Sequence, residues 1–206
     1  MSTAQSTTEA PRRPAMRPNS PAKLRILRAA TELFSAEGIR AVGVDRLIQK
    51  SAVTKATFYK HFGSKNRLIG DYLSSASAAA LAALDTRISR HNSGRDALTA
   101  ITDEVREALH RPDFRGSLFV NAAAEFPDPR DPARRVIAEH HEAVSDRFTS
   151  LLKKIEHPLA GEAADELMLA YVGAFAWGHV GDPIGAAVAF RRTVERVIAD
   201  ASPQNR

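Results

Sequence analysis

Residues 44–65 read VDRLIQKSAVTKATFYKHFGSK, and this stretch decides the fold. Val44, Leu47 and Ile48 recur at helical spacing, so a short helix covers about Val44 to Lys50 with those side chains inward. Ser51, Ala52 and Val53 supply a brief turn, and a second helix runs from about Thr54 to Phe62 before Gly63 and Ser64 break it. Two short helices joined by a tight turn make a helix-turn-helix, the unit whose second helix enters the major groove of DNA. Phe58 and Phe62, one helical turn apart, anchor that helix to the core. Ala56, Thr57, Tyr59 and Lys60 lie away from the anchor and are free to meet DNA. Their hydroxyls and cation suit phosphates, while a small methyl side chain permits close approach to a base edge. Thr54 and Lys55 lead the helix, where base contacts tend to be made, and Thr54 equally fits a plain N-cap. His61 sits nearer the anchored side.

Immediately downstream, Ser64 caps a long helix from Lys65 to near Leu84. Lys65 and Arg67 occupy its first turn, where the macrodipole already presents positive charge. Cations at that end are best explained by an external anion such as a DNA phosphate over the helix N-terminus. Upstream, Ser20-Pro21 opens a helix whose stripe is Ile26, Leu27, Ala30, Leu33 and Phe34. Gly38 ends it as a left-handed C′ residue, and Ile39 folds back on Phe34 in a Schellman ending.

Further along, the clearest helices are 96–110, 132–155, 161–177 and 183–200, separated by Pro-, Gly- and Asp-rich connections at 111–116, 126–131 and 181–183. Alternating β-branched runs are nearly absent, so no sheet is expected. The fold class is therefore all-α. A three-helix helix-turn-helix DNA-binding domain spans 21–68, and a larger helical ligand-binding and dimerisation domain spans 69–200. A disordered basic arm precedes them over 1–20, and a tail follows over 201–206.

Charge agrees with this division. Residues 1–70 carry 13 Lys/Arg against 4 Asp/Glu, whereas the remainder carries 16 against 20. A basic front on an acidic body points to a polyanion partner for the front. The chain has no cysteine, which excludes disulfides and thiolate metal sites and suits a reducing cytoplasm. No apolar run is long enough to span a bilayer and no signal-peptide pattern opens the chain, so a cytoplasmic protein is expected, with no membrane partner.

Residues 23–69 resemble the DNA-binding domain of the TetR family. The resemblance is carried by Val53 through Lys65, in which the aromatic pair Phe58-Tyr59, His61-Phe62 and Ser64-Lys65 fall at that family's spacing. It implies phosphate contacts from Tyr59 and Lys65, and DNA contacts from Thr54, Lys55, Ala56, Thr57 and His61. Asn66 and Gly43-Val44 depart from the family pattern, in capping rather than in DNA contact. Residues 114–126 also resemble the ligand-domain signature of one TetR subgroup, with Ser117 where a cysteine is common, so thiol-based sensing is ruled out.

For a small-molecule effector pocket, the apolar candidates are Phe114, Phe119, Phe126, Met168, Tyr171, Phe175 and Trp177. The polar candidates are Asn121, Glu125, His140 and His179. Each aromatic residue equally fits plain core. Adjacent His140 and His141 face different ways on a helix, so they are read as one packed and one solvated residue, and no metal site is assigned. No nucleophile–base arrangement, P-loop or GxGxxG is present, so neither catalysis nor a cofactor is expected. The last two helices, about 161–181 and 183–200, are apolar over broad faces, and the family resemblance favours a homodimer through them. The functional expectation is a repressor that leaves a pseudo-palindromic operator when a ligand binds. The alternative is a helical ligand-binding or adaptor protein without DNA binding.

Overall fold

The computed structural model describes residues 20–201. Among the described residues there are nine helices and no strand: α1 (Pro21–Glu37), α2 (Val44–Ser51), α3 (Lys55–Phe62), α4 (Lys65–Ser89), α5 (Gly94–Leu109), α6 (Leu118–Glu125), α7 (Pro132–Lys154), α8 (Ala160–Val180) and α9 (Pro183–Asp200). The expected arm falls outside the described residues except for Ser20, which belongs to the fold as the cap of α1. Of the expected tail only Ala201 is described, and it is buried.

The helix starts follow from their caps. Ser20, Thr54, Ser64, Ser93 and Ser117 each accept the backbone N–H three residues on, which satisfies a donor that the helix itself leaves free. Asp131 and Asp182 accept the N–H two residues on, ahead of proline at the first position of α7 and α9. Between α2 and α3 the chain reverses at Ala52, whose φ of 50° and ψ of 50° are left-handed.

One helix end departs from expectation. Gly38 has a positive φ of 87°, but its ψ of 156° is extended, so no Schellman turn forms. The N–H of Ile39, which such a turn would use, donates instead to the Glu125 carboxylate. A second difference is α6, which occupies a stretch to which periodicity assigns no element. Elsewhere the boundaries shift by a few residues, α4 running on to Ser89 and α8 to Val180.

Two apolar cores organise the molecule. The first joins Ile26, Phe34, Leu47, Phe58, Phe62 and Leu68 to Phe119 and Ala122 of α6 and to Ala133 and Ile137 of α7. The core of the first three helices is thus continuous with α6 and α7. The second core gathers α5, α8, α9 and the distal parts of α4 and α7 around Leu98, Ile101, Phe148, Leu152, Leu167 and Phe190. Arg147 of α7 grips Asp85 of α4 through two bonds of 2.6 and 2.7 Å, tying the long helices together.

Candidate functional site

Helix α3 is fixed from one side only. Phe58 and Phe62 are buried, while Lys55, Ala56, Tyr59 and Lys60 are exposed on the opposite side. Tyr59 keeps 42% of its surface open, and its ring packs edge-on against Phe58 at 5.4 Å. That contact holds one edge of the ring against the anchor while the residue stays exposed. Thr54 is the N-cap: its hydroxyl accepts from the Thr57 N–H at 3.1 Å and pairs with the Thr57 hydroxyl at 2.9 Å. His61, half-buried, lies 3.2 Å from the Ser20 hydroxyl. Lys55 and Lys60 therefore share one outward surface with Tyr59.

Lys65 has a partner that sequence reasoning did not foresee. Its Nζ donates to the Arg40 carbonyl at 3.1 Å, and partial burial pulls its pKa below the ordinary lysine value. This internal acceptor accounts for part of its placement at the start of α4, which the sequence reading assigned wholly to an external anion. Arg67 in the same turn is exposed.

A cavity of about 540 Å³ opens among α4, α5, α6, α7 and α8. Of the sequence candidates it brings together Phe114, Phe119, His140, Tyr171 and Phe175. His140 stacks on Phe119 with ring centroids 3.6 Å apart, and its Nδ1 lies 3.0 Å from the Ser77 hydroxyl. Burial, followed by the neighbouring His141 and Arg147 charges, lowers the His140 pKa to about 4, so the ring is neutral near pH 7. Burial also lowers His141, which lines the cavity half-buried instead of standing in solvent. The Tyr171 phenol is pushed above its ordinary pKa by burial and then by Glu104.

Charged members of this cavity were absent from the sequence reading. Arg87 of α4 pairs with Glu104 at 3.3 Å and with Glu107 at 2.8 Å, and all three line the wall. Desolvation raises the Glu104 pKa against the opposing pull of Arg87. The one-turn spacing of Glu104 and Glu107 on α5 was the available signal, but their partner on α4 lies far away in sequence.

A second cavity, of about 530 Å³, lies between α1 and the α5–α6 segment. It takes Asn121, Glu125 and His179 from the candidates and shares Phe114 with the first. Met168 and Phe126 line neither cavity and pack against the two cores. Trp177 lines neither, and stands 58% exposed on α8. Its neighbours on that outer face are Leu169 at 77% and Val180 at 76%, with Ile184 of α9 at 64%. Helix α9, by contrast, buries Ala186, Ala187, Phe190, Val194 and Val197 within the chain. Among the described residues no group of three His, Cys, Asp or Glu side chains could hold a metal ion. No helix among them is long and apolar enough to cross a membrane.

The chain is similar to known proteins in sequence and fold. Residues 26–71 match the family model described as bacterial regulatory proteins, tetR family. The chain is 32% identical over 108 residues to the HTH-type transcriptional regulator TcmR of Streptomyces glaucescens. That match takes in 52% of this chain and 46% of TcmR, so it spans less than half of the curated relative's length. The crystal structure of a TetR-family transcriptional regulator from Streptomyces coelicolor is similar at a TM-score of 0.84 and 34% identity, over 89% of this chain and 97% of that one. A TetR-type chain from Streptomyces avermitilis shares the fold at a TM-score of 0.79 and 24% identity, over 88% of this chain and 98% of its own.

Proposed function

Because the chain belongs to the TetR family of transcriptional regulators, we propose that it is a homodimeric repressor released from a pseudo-palindromic operator by a small molecule. The observation that carries this reading is the one-sided anchoring of α3. Phe58 and Phe62 are 0% and 2% exposed, while Lys55, Ala56, Tyr59 and Lys60 all face solvent. A helix held in this way presents a rigid surface to the major groove. Thr54, Thr57, His61 and Lys65 border that surface and complete the DNA contacts. The partner is double-stranded DNA, which implies the cytoplasmic compartment.

The cavity lined by Phe114, Phe119, His140, Tyr171 and Phe175 is the effector site of this reading. Its walls combine aromatic faces with a few polar groups, as small-molecule sites do. Asn121, Glu125 and His179 line the second cavity, beside it. Dimerisation is supported by the exposed apolar stripe of Leu169, Trp177 and Val180 on α8 with Ile184 on α9. A ligand shifts the operator equilibrium only through different affinities for the two conformations, a coupling of typically ~1–3 kcal/mol.

The test is fluorescence anisotropy on DNA from upstream of the protein's own gene, against scrambled DNA, across a salt series. Tyr59→Ala is expected to weaken binding about fivefold on every sequence, the effect of one lost phosphate hydrogen bond. Lys60→Ala is expected to lower the salt slope by about one. Full affinity and an unchanged slope in both variants would refute this docking.

A further inference from the structure

Glu125 is the last residue of α6, and its carboxylate is spent on the far side of a packing boundary. Oε1 accepts the Ile39 N–H at 2.9 Å and Oε2 accepts the Arg40 N–H at 2.7 Å. The Arg40 guanidinium returns the contact by donating to the Glu125 carbonyl at 3.0 Å. Lys65 Nζ then donates to the Arg40 carbonyl at 3.1 Å. These four bonds join the end of α6, the α1–α2 turn and the start of α4, three of them across 85 or 86 positions of sequence and the fourth across 25. Gly38 belongs to the same joint: a Cβ there would sit 3.4 Å from Glu125 Oε1 on a backbone with φ of 87°. Ile39 and Val42, both buried, fasten that turn into the core that also holds Leu47 and Phe58.

The other end of α6 lies in the cavity wall. Ser117, Leu118 and Phe119 line it, and Phe119 stacks on His140. Eight helical residues span only about 12 Å, so the two ends of α6 lie close together. An occupant that shifts the α6 backbone at Phe119, and does not merely rotate the ring, displaces Glu125 or strains its two backbone bonds.

We propose that Glu125 is the positioning residue that couples occupancy of the cavity to the helix-turn-helix, by clamping the α1–α2 turn to the end of α6. The proposal rests on the reading of that cavity as the effector site. Packing alone would transmit displacement in many directions. The paired bonds to Ile39 and Arg40 give it one direction, toward the turn that opens α2.

The experiment uses a side chain as the occupant. Val172→Trp fills the cavity from α8, and Ala83→Phe fills it from α4 should the first variant fail to fold. Each is made alone and together with Glu125→Gln, which keeps size but replaces one acceptor oxygen by a donor. DNA affinity is read by anisotropy, and exchange of the Ile39 and Arg40 amides by NMR. With Glu125 present, filling the cavity is expected to weaken DNA binding about tenfold and to speed exchange of both amides about tenfold. With Glu125→Gln, the same filling should change DNA affinity less than about twofold. An equal loss of affinity in both backgrounds, no loss in either, or unchanged exchange at Ile39 and Arg40 would overturn the proposal. A protein that bound no DNA at all would defeat the functional reading, and the exchange measurement would still decide the clamp.

Discussion

His140 shows how much one environment can change a residue. Its ring lies flat against Phe119, is 5% exposed, and is neutral near pH 7 because its pKa falls to about 4. The unfolded chain, with an ordinary pKa near 6.5, takes up the proton first as pH falls. Stability is therefore whole above about pH 6.5 and is lost as pH drops toward 4. Between pH 7 and pH 5 the loss assigned to His140 is about 2 kcal/mol. Urea titrations at those two pH values should show it, and His140→Leu should remove most of the difference. An equal pH dependence in the variant would mean that the stacked ring is not the source. The sequence foretold a packed histidine at this position or its neighbour. It did not identify the Ser77 and Phe119 partners, because those contacts arise only when α4, α6 and α7 meet.

Local elements were the most legible part of the chain. Caps and stops at Ser20, Thr54, Gly63 and Ser64 act within four residues, so their reading needs no tertiary knowledge. Gly38 is the counterexample. Its glycine announces a helix end correctly, but the turn geometry is set by Glu125, a partner 86 positions from Ile39. Helix α6 was missed for a different reason: LFVNAAAE is short and nearly all apolar, so no polar stripe marks its period. The start of α5 illustrates close approach between elements. A Cβ on Gly94 would lie 2.8 Å from the Leu151 carbonyl and 2.8 Å from Ile155, near the end of α7. Backbone cannot yield as a flexible side chain can, so Gly94→Ala should destabilise the protein by about 1–3 kcal/mol. A thermal melt unchanged by that substitution would show that α5 and α7 can separate at little cost.

At the scale of the molecule, the helical make-up was visible in the periodicity, whereas the joints between parts were not. The surface of α3 could be read because Phe58 and Phe62 fix its orientation from within the helix. The charged wall of the cavity, Arg87 with Glu104 and Glu107, depends on pairing between separate helices. The same holds for the outer face of α8. Broad apolarity marked both last helices, but α9 spends most of its apolar residues inside the chain, Ile184 and Ala189 among the exceptions, while α8 leaves Leu169 and Trp177 uncovered. Leu169→Glu combined with Trp177→Glu should leave the monomer fold intact, since neither side chain is in a core. Sedimentation should then report a monomer in place of a dimer. Operator affinity should fall with it, because two recognition helices would no longer be linked. A variant that still sedimented as a dimer would place the interface elsewhere.

The central claim is that α3 reads DNA as one of a symmetric pair. Selection of bound fragments from a random DNA library by the purified protein tests it most directly. The account predicts enrichment of a single inverted repeat, with half-sites spaced for two recognition helices and enrichment abolished by Tyr59→Ala with Lys60→Ala. A library that emerges without an enriched motif, or one enriched equally by the double variant, would contradict it.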